Sequence, residues 1–137
     1  MISGDDIRKI FKLKGYEYND RVAILRKYSL FAKYITEQKI NIILAVVGMI
    51  EAPRKWNRIN IENYIEIYIK SSIKDIIKLN KKKIYNKKNS GKIIGIDIKP
   101  EYPKNPDISI TNSFKGTTDQ MAKNLIININ KLLNEKN

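Results

Sequence analysis

A chain of 137 residues suits one domain with room for a real core, and an apolar share of 42% excludes a disordered segment. The absence of Cys and His excludes disulfides, thiolate chemistry, a Ser-His-Asp triad and histidine metal sites, leaving carboxylates, Lys, Arg, Tyr, Ser/Thr and bound cofactors for any chemistry. The net charge of +13 invites a polyanion partner, but the abundance of Ile, Lys and Asn marks A/T-rich coding, which by itself supplies a solvated lysine surface.

The chain opens "MISGDDIRKIF", where a glycine turn, two carboxylates and an arginine follow two apolar residues, as in a loop at the end of a β-strand. Asn19 is a plausible N-cap and Asp20 suits the first turn of the helix "DRVAILRKYSLFAKYITEQ", with Ile24, Tyr28, Phe31 and Ile35 on one face. "NIILAVVG" reads as a continuous apolar strand of the kind covered on both faces. Its cleanest apolar run, Ile42 to Val47, is far too short to span a bilayer, and the charged start does not resemble a signal peptide, so a cytoplasmic protein without a membrane partner is expected. A helix can start at Pro53. "YIEIYIK" is a second strand with Ile65, Ile67 and Ile69 on one face, and a short helix from about Ile73 leads into the basic stretch "KLNKKKIYNKKNSGK". "DIKPEYPKNP" is too rich in proline for a helix. "DISIT" is a third strand, and after Gly116 a last helix places Met121, Leu125, Ile129 and Leu132 on one face. Strands alternating with helices predict an α/β layered sheet with mostly parallel strands in a single domain, residues 1–137.

Five of the 27 basic residues are arginines: Arg8, Arg21, Arg26, Arg54 and Arg58. A lysine-rich composition keeps Arg where a planar fork for phosphate or carboxylate is needed. Ligands of such sheets bind outside the carboxyl ends of the strands, which gathers Asp5, Arg8 and Gly48 on one rim. A carboxylate beside arginines there suits a phosphorylated substrate with a hydroxyl to be activated. Equally, Asp5 could cap a helix and the arginines could form surface ion pairs; spacing leaves both open.

The order "SGDDIR", "GYEYNDRVAILRK", "AVVGMI", "YIEIYIKSSIKDI", "KKKIYNKKNSGKIIGID" and "YPKNPDISI" resembles the adenylylsulfate kinase family across essentially the whole chain. That resemblance implies a P-loop kinase fold with helices on both faces of a mostly parallel sheet, and ATP with magnesium as the source of a phosphoryl group for the 3′-hydroxyl of a small nucleotide acceptor. The family's D-G-D-N-x-R is here Ser3-Gly4-Asp5-Asp6-Ile7-Arg8. By resemblance Asp5 is the catalytic carboxylate that orients or deprotonates the acceptor hydroxyl. Arg8 and Arg21 bind the acceptor's anionic groups, and Tyr16 stacks on its base. The G-I-D of the family stands intact as Gly95-Ile96-Asp97, which makes Ile96 and Asp97 further acceptor-binding candidates. Residues 78–105 are similar to the family's basic lid and following loop, with Lys82 and Lys87 as the lid lysines. Lysines there could neutralise a transferring phosphoryl group. No metal ligand is expected among the residues of this chain.

The chain departs from the family at Ile24, at Gly48-Met49 and at Leu79-Asn80. Met49 and "WNRINIENY" resemble the branch found among surface-polysaccharide enzymes, which phosphorylate other nucleotide-linked acceptors such as a cytidine diphosphoramidate. The sequence contains no G-x-x-x-x-G-K-[ST]. In the family that loop precedes the strand ending in the D-G-D turn, so the expected fold lacks the first strand, the P-loop and the first helix. The absent strand would lie centrally, between "NIILAVV" and "YIEIYI".

These readings lead to an adenylylsulfate-kinase-like phosphotransferase domain, expected to be inactive as this chain alone, whose P-loop could come from a separate chain. The alternative is a non-catalytic nucleotide-binding module keeping the acceptor site, with a homo-oligomer possible. A basic nucleic-acid-binding protein is the third and weaker reading.

Overall fold

Ser3 decides where the first strand ends. In the computed structural model, which describes residues 1–79 and 92–135, strand β1 (Ile2–Ser3) passes directly into helix α1 (Gly4–Ile10). The "SGDDIR" stretch is therefore a helix start rather than a loop. The Ser3 hydroxyl accepts from the Asp6 amide at 3.1 Å while the Asp6 carboxylate takes the Ser3 amide, a reciprocal capping box that satisfies two otherwise unpaired donors. The N-cap is Ser3 with Asp6 as its reciprocal partner, and Asp5 is exposed beside them.

Helix α2 (Tyr18–Glu37) begins two residues earlier than its apolar periodicity indicates, because Glu17 and Asp20 form a second capping box there and Asn19 lies inside the helix. Its buried side chains are Ile24, Leu25, Tyr28, Ser29 and Ala32, and Phe31 and Ile35 are half-buried on the same side. The buried Ser29 hydroxyl of this face donates back to Leu25 O at 3.0 Å. Strand β2 (Leu44–Ala45) is much shorter than "NIILAVVG", since its partner β1 offers only two residues to pair: Ile2 with Leu44 and Ser3 with Ala45, in parallel. Helix α3 (Glu51–Asn60) carries Pro53 in its first turn, where a missing amide hydrogen costs nothing.

The chain then enters strand β3 (Ile67–Lys70) and helix α4 (Ile73–Leu79), which starts at the residue its pattern predicts. Strand β4 (Ile108–Thr111) follows the proline-rich loop, and helix α5 (Thr118–Asn134) is capped by the Thr117 hydroxyl on the Gln120 amide. Strand β3 pairs with β4 in parallel, Ile67 facing Ile108 and Lys70 facing Thr111. The half-buried residues of α5 include Met121, Leu125, Ile129 and Leu132, the face read from the sequence.

Among the described residues the strands pair two by two, in two parallel two-stranded sheets. The chain divides accordingly into two compact units. The first comprises Met1–Tyr64 with the described part of Ser90–Pro103, and the second comprises the described parts of Ile65–Asn89 and Lys104–Asn137. The core of the first is Ile7, Ile24, Leu25, Tyr28 and Ile50, with Ile2, Leu13, Val22, Phe31 and Leu44 packed around it. Each such buried aliphatic side chain contributes roughly 1.5–3 kcal/mol. No helix of the described residues is long and apolar enough to cross a membrane.

Candidate functional site

Helix α1 sets Asp5 and Arg8 three residues apart, hence on neighbouring positions of one face. After its last turn the chain reverses through Gly15, whose φ of 95° belongs to glycine; a Cβ there would also run into the Asp20 side chain. The reversal brings Gly15 O to the Arg8 guanidinium at 3.0 Å and lays the Tyr16 ring beside it, with the guanidinium carbon 4.5 Å from the ring centroid. Arg21, one turn into α2, approaches the same ring at 5.6 Å. Its Nε donates to Tyr16 O at 2.8 Å and a terminal nitrogen donates to Lys92 O at 2.6 Å. Each guanidinium carries five donors, more than these bonds use. Burial, and next the neighbouring charge of Arg8, push the Arg21 pKa down, as expected for two cations held close together. Tyr16 itself remains 51% exposed.

Tyr28 lies beneath this cluster. Its hydroxyl donates to Gly4 O at 2.8 Å, and burial raises its pKa, with the charges of Arg8, Asp5 and Tyr16 acting on it as well. The sequence placed Tyr28 only on an apolar face; its hydroxyl, which braces the strand-to-helix junction, left no signal in the periodicity.

Ile96 and Asp97 belong to a tight turn. Gly95 adopts φ 90°, Ile94 and Ile98 form an isolated parallel bridge, and the Asp97 carboxylate accepts from the Ile93 amide at 2.8 Å. Ile96 is half-exposed at the tip. The turn is joined to the arginine cluster through Lys92, whose carbonyl takes Arg21 and whose amine pairs with Glu17 at 3.1 Å. Lys82 and Lys87 lie outside the described residues.

Within the proline-rich loop "DIKPEYPKNP", Glu101 is a functional residue that the pattern does not mark. Its carboxylate accepts from the Tyr18 hydroxyl and from the Glu51 amide, and its carbonyl accepts from Arg54. A glutamate between prolines has no periodic signature by which such bonds could be anticipated.

The described residues do not assemble a site for ATP and magnesium. The sequence has no G-x-x-x-x-G-K-[ST], the loop whose backbone amides cradle the phosphates and whose Ser/Thr serves the magnesium.

The family model described as adenylylsulphate kinase matches residues 1–111. The chain belongs to this family. Among its adenylylsulphate kinase relatives is the "Cytidine diphosphoramidate kinase" of Campylobacter jejuni, 27% identical over 91% of this chain and 75% of the relative. The "Adenylyl-sulfate kinase" of Pseudomonas aeruginosa is 31% identical over 92% of this chain and 67% of its own length. In fold the chain resembles the Mycobacterium tuberculosis APS kinase CysC, solved in complex with AMPPNP and APS, at a TM-score of 0.80 and 23% identity over 94% of this chain and 78% of that one. Parallel strands and helices of the adenylylsulphate kinase type are thus common to both.

Proposed function

We propose that the first unit holds the acceptor of an adenylylsulfate-kinase-type phosphoryl transfer, a nucleotide with an anionic 5′ group. The observation that carries this reading is the convergence of Arg8 and Arg21 on the Tyr16 ring. Two guanidiniums brought together suit a multiply charged anion, which relieves their mutual repulsion and accepts their remaining donors in bidentate fashion. The half-exposed Tyr16 ring offers a face to the acceptor's base. In this reading Asp5 accepts a hydrogen bond from the acceptor's hydroxyl and takes its proton as that oxygen becomes the nucleophile. Ile96 and Asp97 border the acceptor through the turn that Lys92 fixes to Arg21, and Lys82 and Lys87 neutralise charge from the lid. No described residue is assigned to ATP or magnesium.

Titration calorimetry of the full chain with adenylylsulfate, and in a second arm with cytidine diphosphoramidate, tests the proposal. One of the two binds, and Arg8→Lys and Arg21→Lys each weaken it roughly tenfold although charge is kept, because the planar fork is lost. Equal affinity in wild type and both variants would reduce the arginines to surface charges.

A further inference from the structure

Helix α3 opens behind Ile50, a residue whose side chain cannot accept a hydrogen bond. The acceptor is supplied from 50 residues further along: Glu101 Oε2 takes the Glu51 amide at 2.6 Å. The second carboxylate oxygen, Oε1, takes the Tyr18 hydroxyl at 2.9 Å, and Tyr18 is the first residue of α2. The main chain of Glu101 is engaged on both sides. Its amide donates to Met49 O at 2.9 Å, and its carbonyl accepts from Arg54 at 2.8 Å. Arg54 also donates to Gly48 O. One residue thereby ties the strap of residues 92–103 to the start of α2 and to the Gly48–Ile50 loop that leads from β2 into α3.

The tie to Tyr18 borders the arginine cluster. Tyr16 stands two residues before Tyr18, and Arg21 follows one turn later. Gly48 lies beyond the carboxyl end of β2, the side on which open α/β sheets bind ligands. The strap is fastened to the same stretch a second time, through Lys92 to Arg21 and Glu17.

We propose that Glu101 is a positioning residue for the acceptor site, its carboxylate setting the spacing between Tyr16–Arg21 on one side and Gly48–Met49 on the other. The inference rests on the acceptor reading above. It depends on two oxygens that each serve one helix. A glutamine offers a single acceptor oxygen, and an aspartate is one methylene too short to reach both partners.

Amide hydrogen exchange and adenylylsulfate affinity of the full chain test this, comparing wild type with Glu101→Ala, Glu101→Gln and Tyr18→Phe. Glu37→Gln, at the exposed ion pair with Lys33 near the far end of α2, is the control. Glu101→Ala and Glu101→Gln should speed exchange at residues 17–21 and 50–54 by roughly tenfold and weaken adenylylsulfate by a similar factor. Exchange at Ile24–Tyr28 should stay slow, and the control should match wild type. Tyr18→Phe should loosen 17–21 alone, and by removing a single oxygen it keeps the test decisive if Glu101→Ala does not fold. Unchanged exchange in the Glu101 variants would overturn the brace. Faster exchange with unchanged affinity would overturn the positioning role. If wild type binds neither adenylylsulfate nor cytidine diphosphoramidate while exchange responds as expected, the acceptor reading fails and the role drawn from it falls too.

Discussion

At the residue scale, Ser3 is the N-cap of α1 at the position where the family pattern has an aspartate. The D-G-D-N-x-R pattern has an aspartate where this chain has Ser3, and serine and aspartate are both strong N-caps. The capping box with Asp6 gives Ser3 that task. Ser3→Asp is therefore expected to leave the melting temperature close to wild type, whereas Ser3→Ala should cost about 1 kcal/mol in denaturant unfolding. A Ser3→Ala chain as stable as wild type would mean that the cap contributes nothing. The arginines teach a complementary lesson. Their scarcity in a lysine-rich chain marks all five; Arg8, Arg21 and Arg54 are engaged by main-chain carbonyls, whereas Arg26 lies over the Trp56 ring and Arg58 over the Tyr64 ring. The partners of the first three were not legible, because Gly15 O, Tyr16 O, Lys92 O and Glu101 O are main-chain atoms that no side-chain pattern encodes.

At the scale of elements, the bond between Tyr18 and Glu101 joins a helix start to a distant loop and carries a signature in pH. The Glu51 amide first, then the Tyr18 hydroxyl and the charge of Arg54, hold the Glu101 carboxyl below its usual range. A depressed carboxyl adds stability that is present above its unfolded value, about pH 4.3, and is lost as pH falls through the lower folded value. For Tyr18 the sign is opposite: the bond to Glu101 raises its pKa, so its contribution is present below about pH 10 and is lost as pH rises through the folded value. Thermal melts from about pH 3 to 11 should show Glu101→Gln with a shallower acid loss than wild type. Asp6, lowered chiefly by its bond with the Ser3 side chain, adds to the same acid limb in both proteins, so only the difference reports Glu101. Superimposable curves would deny the bond any energetic weight. Helices were the most legible elements. The apolar faces of α2 and α5 follow from spacing, while the start of α2 does not, since the Glu17–Asp20 box outweighs Asn19 as a cap. Strand length was the least legible, because β2 is limited by the two residues of β1 and not by its own apolar run.

At the scale of the molecule, the strands of the described residues form two parallel pairs. A two-stranded ladder is marginal without further cover, and each sheet has unpaired edges among the described residues. Around β2 the apolar side chains of Ile40, Ile43 and Val47 are more than half exposed. The chain is therefore expected to self-associate, with a sedimentation coefficient that rises with concentration, and Val47→Lys should suppress that rise by placing a charge at the edge. A monomer at all concentrations, identical in wild type and variant, would show that these edges attract nothing. The alternation of strands and helices made the parallel α/β character legible. The grouping into two units was not, because hydrophobic pattern specifies which face of a strand is buried and not which strand lies beside it.

The cap of α3 by Glu101 also bears on how this chain is made. During synthesis, residue 101 emerges 50 positions after the helix start it completes. At a translation rate of about 5–20 residues per second, α3 waits roughly 3–10 s with its leading amide dependent on water. The nascent first half can collapse around Ile7, Ile24 and Tyr28 in that interval, but the entry to α3 becomes fixed only when the strap arrives and closes the long loop.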